Sequence, residues 1–385
     1  MTRKLYDENS HLSCFDAVVS ACRPIDDNWS VVLDQTAFFP EGGGQRADTG
    51  MLDSACVLDV QEHDGEISHI TDAPFTVGTA VHGVIDWEQR FRRMQEHSGE
   101  HIISGLVHRL YGYRNVGFHL GEDAVTMDYD GELTPEQISE LEMLANEAVW
   151  KNVLITACYP DPDTLKSMEY RSKLELTENV RIVTIEGYDV CACCAPHVSS
   201  TGEIGAIKIV DSMRHRGGMR LTILCGVDAA EHYRMLFDEA SALSNLLSVP
   251  KDQLVGAVRR LFSERDSLEC SLRAREEKLN ALRLKSLPES AKTILVIDEF
   301  DDPDAMRELV NLGMDRAELL CAAFSGNDES GYRYIIGSKS MDLRTCTKKI
   351  NAALNGRGGG RATMIQGSCT AKRSEIEAYF HHFQP

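Results

Sequence analysis

No stretch of the 385-residue sequence approaches the ~20 consecutive apolar residues that a membrane-spanning helix needs, and the chain opens on Met1-Thr2-Arg3-Lys4 without an apolar leader. Both absences predict a cytoplasmic protein with no membrane partner. Excess positive charge is missing too: 60 acidic residues against 40 Lys and Arg give a formal net charge of -20, which repels polyanions at long range. A general nucleic-acid coat protein is therefore disfavoured, and any contact with RNA has to come from local basic patches. A hydrophobic content of 43% makes disorder over most of the chain a poor reading and leaves room for two or three domains. The twelve cysteines are scattered except between 191 and 194. In a reducing compartment such a cluster points to metal binding or redox chemistry before disulfides.

The chain is organised around Glu96-His97-Ser98-Gly99-Glu100-His101, inside an amphipathic run predicted to be a helix from Arg92 to Leu110. Side chains at i and i+4 share a helix face, so His97 and His101 can point two imidazoles at one ion. Taken alone, the pair reads as two surface histidines. A second pair changes that reading: in Cys191-Ala192-Cys193-Cys194-Ala195-Pro196-His197 a thiolate and an imidazole are again four positions apart. Two separated pairs can supply the four nitrogen and sulfur ligands of a tetrahedral zinc ion. The zinc-protease helix, H-E-x-x-H, needs Glu after the first His as general base, and here Ser98 stands there. Glu96 and Glu100 are open to two readings, carboxylates that orient the imidazoles or solvent-facing helix residues.

Ahead of this helix, short alternating segments (Cys14 to Cys22, Trp29 to Leu33, Ala55 to Val60, Ile67 to Ile70, Ala80 to Ile85) broken by Gly, Asp and Pro predict a small antiparallel barrel or sheet over 1–88. The Thr36 to Gln45 loop has three consecutive glycines but no Walker lysine, so it reads as a tight turn that lets backbone approach a ligand while Thr36 and Gln45 supply hydrogen bonds. Residues 89–227 alternate strands with helices, an α+β unit. Thr134-Pro135-Glu136-Gln137 is a helix start, and Arg214, Arg216 and Arg220 form a locally basic stretch, read either as a solvated turn or as a phosphate contact. From 228 to 286, leucines at spacings of three, four and seven predict one or two long helices broken near Ser248-Val249-Pro250, a hairpin or coiled-coil arm. An α/β domain follows from 287 to 385, with the glycine run Gly356 to Arg361 read as a loop.

His97 and His101, Cys193-Cys194-Ala195-Pro196-His197 followed by Thr201-Gly202-Glu203-Ile204-Gly205, and Asp34 to Gln45 together resemble the alanyl-tRNA editing proteins, the AlaX family, and the editing domain of alanyl-tRNA synthetase. Where that family usually has Cys-Gly-Gly-Thr-His, this chain has Cys-Cys-Ala-Pro-His with an extra Cys191. The last domain resembles the DHH-associated domain that ends long AlaX proteins. The resemblance implies a free-standing hydrolase acting in trans on tRNA(Ala) mischarged with serine or glycine, with one zinc ion per chain on His97, His101, Cys193 and His197. It also implies a pocket of Phe38, Gly43, Gly44 and His119, in which Gln45 aligns water and the Thr36 hydroxyl distinguishes seryl from alanyl. His119 is equally readable as a half-buried strand histidine. Arg214, Arg216, Arg220, Arg357 and Arg361 are the expected tRNA contacts, and a homodimer through the arm or last domain is a further expectation. The sequence contains no recognisable adenylate-forming domain. Two rivals stand beside this reading: a non-catalytic tRNA-binding protein with a structural zinc, and a zinc hydrolase of small esters or amides.

Overall fold

The computed structural model describes residues 2–121, 124–172, 180–300 and 302–384, which form two compact units, Met1–Ala242 and Leu243–Pro385. The first opens with Cys14–Ile25 (β1), Asn28–Leu33 (β2), Gly50–Leu52 (β3), Ala55–His63 (β4), Glu66–Thr71 (β5) and Ala80–Ile85 (β6). Antiparallel pairing in the order β1-β2-β5-β4-β3-β6, with β6 returning to β1, joins the six strands in a closed ring. Alternate residues face inward, Phe15, Ala17 and Val19 on β1 for example, and the ring is filled by Phe38, Phe39 and Leu52.

Among the polar residues of that interior is His69. Its Nδ1–H donates to the Val31 carbonyl at 3.0 Å, and its Nε2 accepts from the Thr36 hydroxyl at 2.8 Å. Only the neutral ring can donate and accept at once, and burial pushes its pKa down to about 4. The unfolded chain takes up this proton near pH 6.5, so between the two values it binds more protons than the folded one. Stability is expected to fall as pH drops through this window, by about 3 kcal/mol from this group. All three tryptophans, Trp29, Trp87 and Trp150, lie in the first unit, so urea unfolding followed by their fluorescence at pH 7 and at about pH 4.5 measures the loss. His69→Gln should shrink it.

Asp86 accepts a hydrogen bond from the Gln89 amide and caps a helix that runs from Trp87 to Tyr111 (α1). It therefore starts ahead of the expected Arg92, and Gly112, at φ 72°, ends it in the left-handed conformation. Around α1 fold Asn115–Leu120 (β7), Val125–Tyr129 (β8), Pro135–Lys151 (α2), Ile155–Cys158 (β9), Ile182–Ile185 (β10), Asp189–Ala192 (β11), Ile207–His215 (β12) and Gly218–Cys225 (β13). The strands make a four-stranded sheet, β12-β13-β8-β7, and a three-stranded one, β9-β10-β11. The Thr134 side chain and Gln137 cap α2 reciprocally, with Pro135 at its first position. Met94, Ile102, Leu106 and Val107 of α1 pack with Leu141 and Ala145 of α2 and Leu221 and Ile223 of β13. The architecture is a mixture of α and β, as expected.

The boundary between the units falls within Gly226–Leu247 (α3). The chain breaks where Ser248-Val249-Pro250 predicts and resumes as Leu254–Ser286 (α4). Then come Ala291–Ile297 (β14), Pro303–Gly313 (α5), Ala317–Asn327 (β15), Gly331–Gly337 (β16), Leu343–Ala353 (α6), Gly356–Gly360 (β17), Met364–Cys369 (β18) and Arg373–His381 (α7). The sheet order is β14-β15-β16-β18-β17, parallel only at β14-β15. The glycine run is thus an edge strand and not a loop. Its glycines admit a close neighbour: a Cβ on Gly358 would strike the Tyr334 hydroxyl and the Gln366 carbonyl. Among the described residues no helix is long and apolar enough to cross a membrane.

Candidate metal centre

Two segments bring four potential ligands together. His97 and His101 sit one turn apart on the buried face of α1, while Cys193 and His197 follow β11 in a segment held by Arg181. The Arg181 guanidinium donates to the Cys193 and Ala195 carbonyls at 3.2 and 2.8 Å, and its own carbonyl accepts from the Cys193 amide at 3.0 Å. The coordinating atoms of His97, His101, Cys193 and His197 lie within 4.8 Å of one another. Cys193 Sγ is 3.5 Å from His97 Nε2 and 3.4 Å from His197 Nε2.

Each imidazole is fixed from its far side. His97 Nδ1–H donates to Gln45 Oε1 at 3.0 Å and His101 Nδ1–H to Asp189 Oδ2 at 2.9 Å, while His197 Nδ1 pairs with Ser98 Oγ at 3.0 Å. Asp189 is itself gripped by Arg171 at 2.6 and 2.8 Å. Occupying Nδ1 leaves each Nε2 lone pair for the centre, the arrangement by which outer partners orient metal-binding histidines. Burial would raise the Cys193 thiol, but the imidazoles of His97 and His197 hold it well below its ordinary value. Burial also drives His197 down to about 3, so it stays neutral. Three imidazole nitrogens and one thiolate make a donor set that fits zinc.

Of the three neighbouring sulfurs, only Cys193 joins all three histidines. Cys191 lies instead with His101 and Asp189, where burial lifts its thiol to about 11. Cys194 Sγ lies against Gly42 and Gly43 and is also lifted by burial to about 11. Cys193→Ala is accordingly expected to remove most of the bound metal, and Cys191→Ala and Cys194→Ala to leave it, by metal analysis of purified protein. Full retention in Cys193→Ala would overturn this choice of sulfur.

The loop at 36–45 approaches the centre through Gln45 alone among its polar side chains. Gln45 is buried, and its Nε2 has no partner among the described residues. Gly44, at φ 83°, lets Phe118 close over: a Cβ there would be 2.6 Å from its ring, whose centroid lies 4.9 Å from that of His97 at a tilt of 42°. Thr36 and Phe38 are wholly buried in the ring of strands, Thr36 on His69 and Phe38 against Phe15 and His69. His119 is exposed and, one position on from Phe118 along β7, is not brought to the cluster.

Neither Glu96 nor Glu100 faces solvent. Glu96 is buried, and burial followed by the Asp228 charge lifts its carboxyl to about 8. Glu100 accepts from Ser104 and Asn115, both at 2.6 Å. The imidazole Nδ1 atoms are oriented by Gln45, Asp189 and Ser98, not by these carboxylates.

The basic stretch forms the β12–β13 hairpin, turning at Arg216 and Gly217 with φ 47° and 83°. Arg214 pairs with Glu132 at 3.1 Å and Arg220 with Asp128 at 2.6 Å. In the second unit Arg357 and Arg361 are exposed at and just beyond β17.

Sequence reasoning passed over Ser98, Asp189, Arg171 and Arg181. It also missed Arg90, wholly buried on α1, which donates through Nε to Asp48 at 3.0 Å, through Nη2 to the Ala37 carbonyl at 2.7 Å and through Nη1 to the Ser10 carbonyl at 3.1 Å. Ser10 in turn donates to the His197 carbonyl at 2.7 Å. The one signal on offer was Asp189 itself, a carboxylate two residues ahead of the cysteine cluster.

Residues 180–221, which include Cys193 and His197, match the family described as threonyl and alanyl tRNA synthetase second additional domain, and residues 11–89 match that of class II (A) tRNA synthetases. The alanine–tRNA ligase of Pyrococcus furiosus is 34% identical over 95% of this chain and 42% of its own length. Alanyl-tRNA editing protein Aarsd1 of Mus musculus is 25% identical over 98% of this chain and 97% of its own. The chain thus spans about two-fifths of the ligase and nearly all of the editing protein. The crystal structure of the C-Ala domain from Aquifex aeolicus alanyl-tRNA synthetase matches 25% of this chain and 96% of that one at 19% identity, with a TM-score of 0.22.

Proposed function

We propose, for a chain related to the alanyl-tRNA editing proteins and to the corresponding part of alanine–tRNA ligases, a deacylase that frees tRNA(Ala) of serine, and of glycine, at a zinc-bearing centre in the cytoplasm. One observation carries the reading: His97, His101, Cys193 and His197 converge, and each histidine has its outer nitrogen engaged. When bound, zinc supplies positive charge that polarises an ester carbonyl or lowers the pKa of water. The protein's own contribution is orientation. Gln45 fixes His97 with its carbonyl oxygen and keeps an amide N–H to hold a water or the ester oxygen. Phe118 covers His97 and limits solvent around the reacting bond.

Thr36 would act on seryl specificity through the ring interior and His69 and not by direct contact, since its hydroxyl is already used. Arg216 at the hairpin tip and Arg357 and Arg361 in the second unit are the side chains we assign to tRNA phosphates. Arg220, held by Asp128, serves the hairpin's own structure.

The test is release of labelled serine from seryl-tRNA(Ala) by purified protein, compared with His101→Ala and with alanyl-tRNA(Ala). Rapid release of serine, sparing alanine and lost in His101→Ala, is expected. No release by protein that contains zinc would favour the rival, a tRNA-binding protein with a structural metal.

A further inference from the structure

The helix that carries His97 and His101 brings a buried carboxylate to the same centre. At about 100° per residue, the positions one and three beyond His97 flank the face that His97 and His101 share, each about 80° from its middle and on opposite sides. Ser98 takes the first flank and Glu100 the second. Glu100 is 3% exposed. Its Oε1 accepts from the Ser104 hydroxyl and from Asn115 Nδ2, both at 2.6 Å, and Ser104 Oγ accepts from the same Asn115 amide at 3.0 Å. Its Oε2 lies 3.9 Å from His101 Nε2, the nitrogen left for the centre once Nδ1 has bonded to Asp189. Two short bonds on one oxygen thus hold the other near the centre.

Four protein donors complete a tetrahedral ion, and a water that attacks an ester beside it then needs a side chain to take its proton. Among the described residues Glu100 is the carboxylate placed for this. Asp189 is engaged by His101 and Arg171, Glu96 lies with Asp228, Arg92 and Arg93, and the Gln45 amide is not a base. Room for the ester is present as well. A cavity of about 1380 Å³ runs along α1, lined by Gly105, Asn115, Arg171, Tyr188, Asp189 and Cys191. Two of these, Asn115 and Asp189, are the residues that hold Glu100 and His101. We propose, resting on the deacylase reading above, that Glu100 is the general base of the reaction. Its Oε2 takes one proton of the water as the water oxygen bonds to the ester carbonyl carbon. The bond from that carbon to the ribose oxygen then breaks, and the leaving oxygen receives the proton from Glu100. The products are the free amino acid and an RNA with its terminal hydroxyl restored, and the carboxylate is regenerated.

Steady-state deacylation of seryl-tRNA(Ala) by the full chain, run beside a chelator competition, tests the assignment. Glutamine keeps an acceptor for Ser104 and Asn115 but takes no proton. Glu100→Gln is therefore expected to lower kcat about 100-fold or more and to leave KM within about twofold. Metal affinity, binding of uncharged tRNA(Ala) and the thermal transition of the first unit should stay at wild-type values. Wild-type kcat in Glu100→Gln overturns the proposal. A raised KM at unchanged kcat also overturns it, since that marks a group that holds the substrate's ammonium. So does a loss of metal affinity of about tenfold or more, the mark of a ligand or its partner. Asn115→Ala removes one of the two bonds that orient the carboxylate, and a smaller fall in kcat at unchanged KM is expected. Should Glu100→Gln fail to fold, unchanged kcat in Asn115→Ala overturns the proposal in its place. A wild type that frees no serine removes the deacylase reading and this proposal together, whereas an active wild type beside an equally active Glu100→Gln removes the proposal alone.

Discussion

Replacing Asp189 by Asn is expected to weaken metal binding about 10- to 100-fold, the usual cost of losing an outer partner of a metal-binding histidine. The carboxylate accepts the His101 Nδ1–H at 2.9 Å and so presents Nε2 to the centre. Burial works against its charge, yet His101 and Arg171 hold its pKa below the usual carboxylate value. Asparagine keeps the shape but loses the charge that stabilises a polarised imidazole, and its amide can offer an N–H where His101 needs an acceptor. Arg171, mostly buried, is left without its counter-ion. Competition against a chromophoric chelator gives the affinity directly. A change of less than twofold would mean that packing, not Asp189, sets the His101 ring. Arg171→Ala should move affinity in the same direction by less, because Asp189 keeps its bond to His101.

The second large effect concerns Arg90. Arg90→Met is expected to destabilise the first unit by about 3–5 kcal/mol, the cost of stranding one member of a buried ion pair. Asp48, almost without solvent contact, would lose the guanidinium, and the carbonyls of Ala37 and Ser10 would lose their donors. Replacing Asp48 by Leu as well should recover much of the loss, since two apolar side chains leave no unpaired charge. Tryptophan fluorescence during urea unfolding measures both variants. If the double variant is no more stable than Arg90→Met, the two bonds to backbone carbonyls matter more than the ion pair. Because Arg90 joins the Ala37 to Asp48 segment to Ser10, and Ser10 holds the His197 carbonyl, the single variant should also loosen the metal-binding segment.

What could be read from the sequence was periodic or local. The helix bearing His97 and His101 follows from apolar spacing and from a glycine at its end, and the reciprocal cap at Thr134 and Gln137 from four adjacent residues. The convergence of two pairs at i, i+4 spacing follows from ligand chemistry. What could not be read depends on residues that meet only after folding. Nothing local says that His97 leans on Gln45 or His101 on Asp189. Arg90, Glu96 and Glu100 are charged side chains on a helix, a setting in which solvent exposure is the ordinary expectation, and all three are buried. The Gly356–Gly360 strand was hidden for the opposite reason. Glycine carries no side chain to alternate, so the strand has no period to detect, and its identity comes from the ladder to β18. Thr36 and His69 meet across the ring of strands, a pairing that the alternation of either strand leaves unspecified.

The four coordinating side chains and their outer partners are all drawn from one of the two units, and Leu243–Pro385 contributes none. Loading with an ion therefore acts as a thermodynamic ballast on Met1–Ala242 alone: at a thousandfold excess over its dissociation constant it raises that unit's stability by about 4 kcal/mol. The chain is in this sense bimetallic-strip-like under heat, one half answering to metal supply and the other indifferent to it. Thermal unfolding with and without added zinc is therefore expected to shift the transition of Met1–Ala242 and to leave that of Leu243–Pro385 where it was.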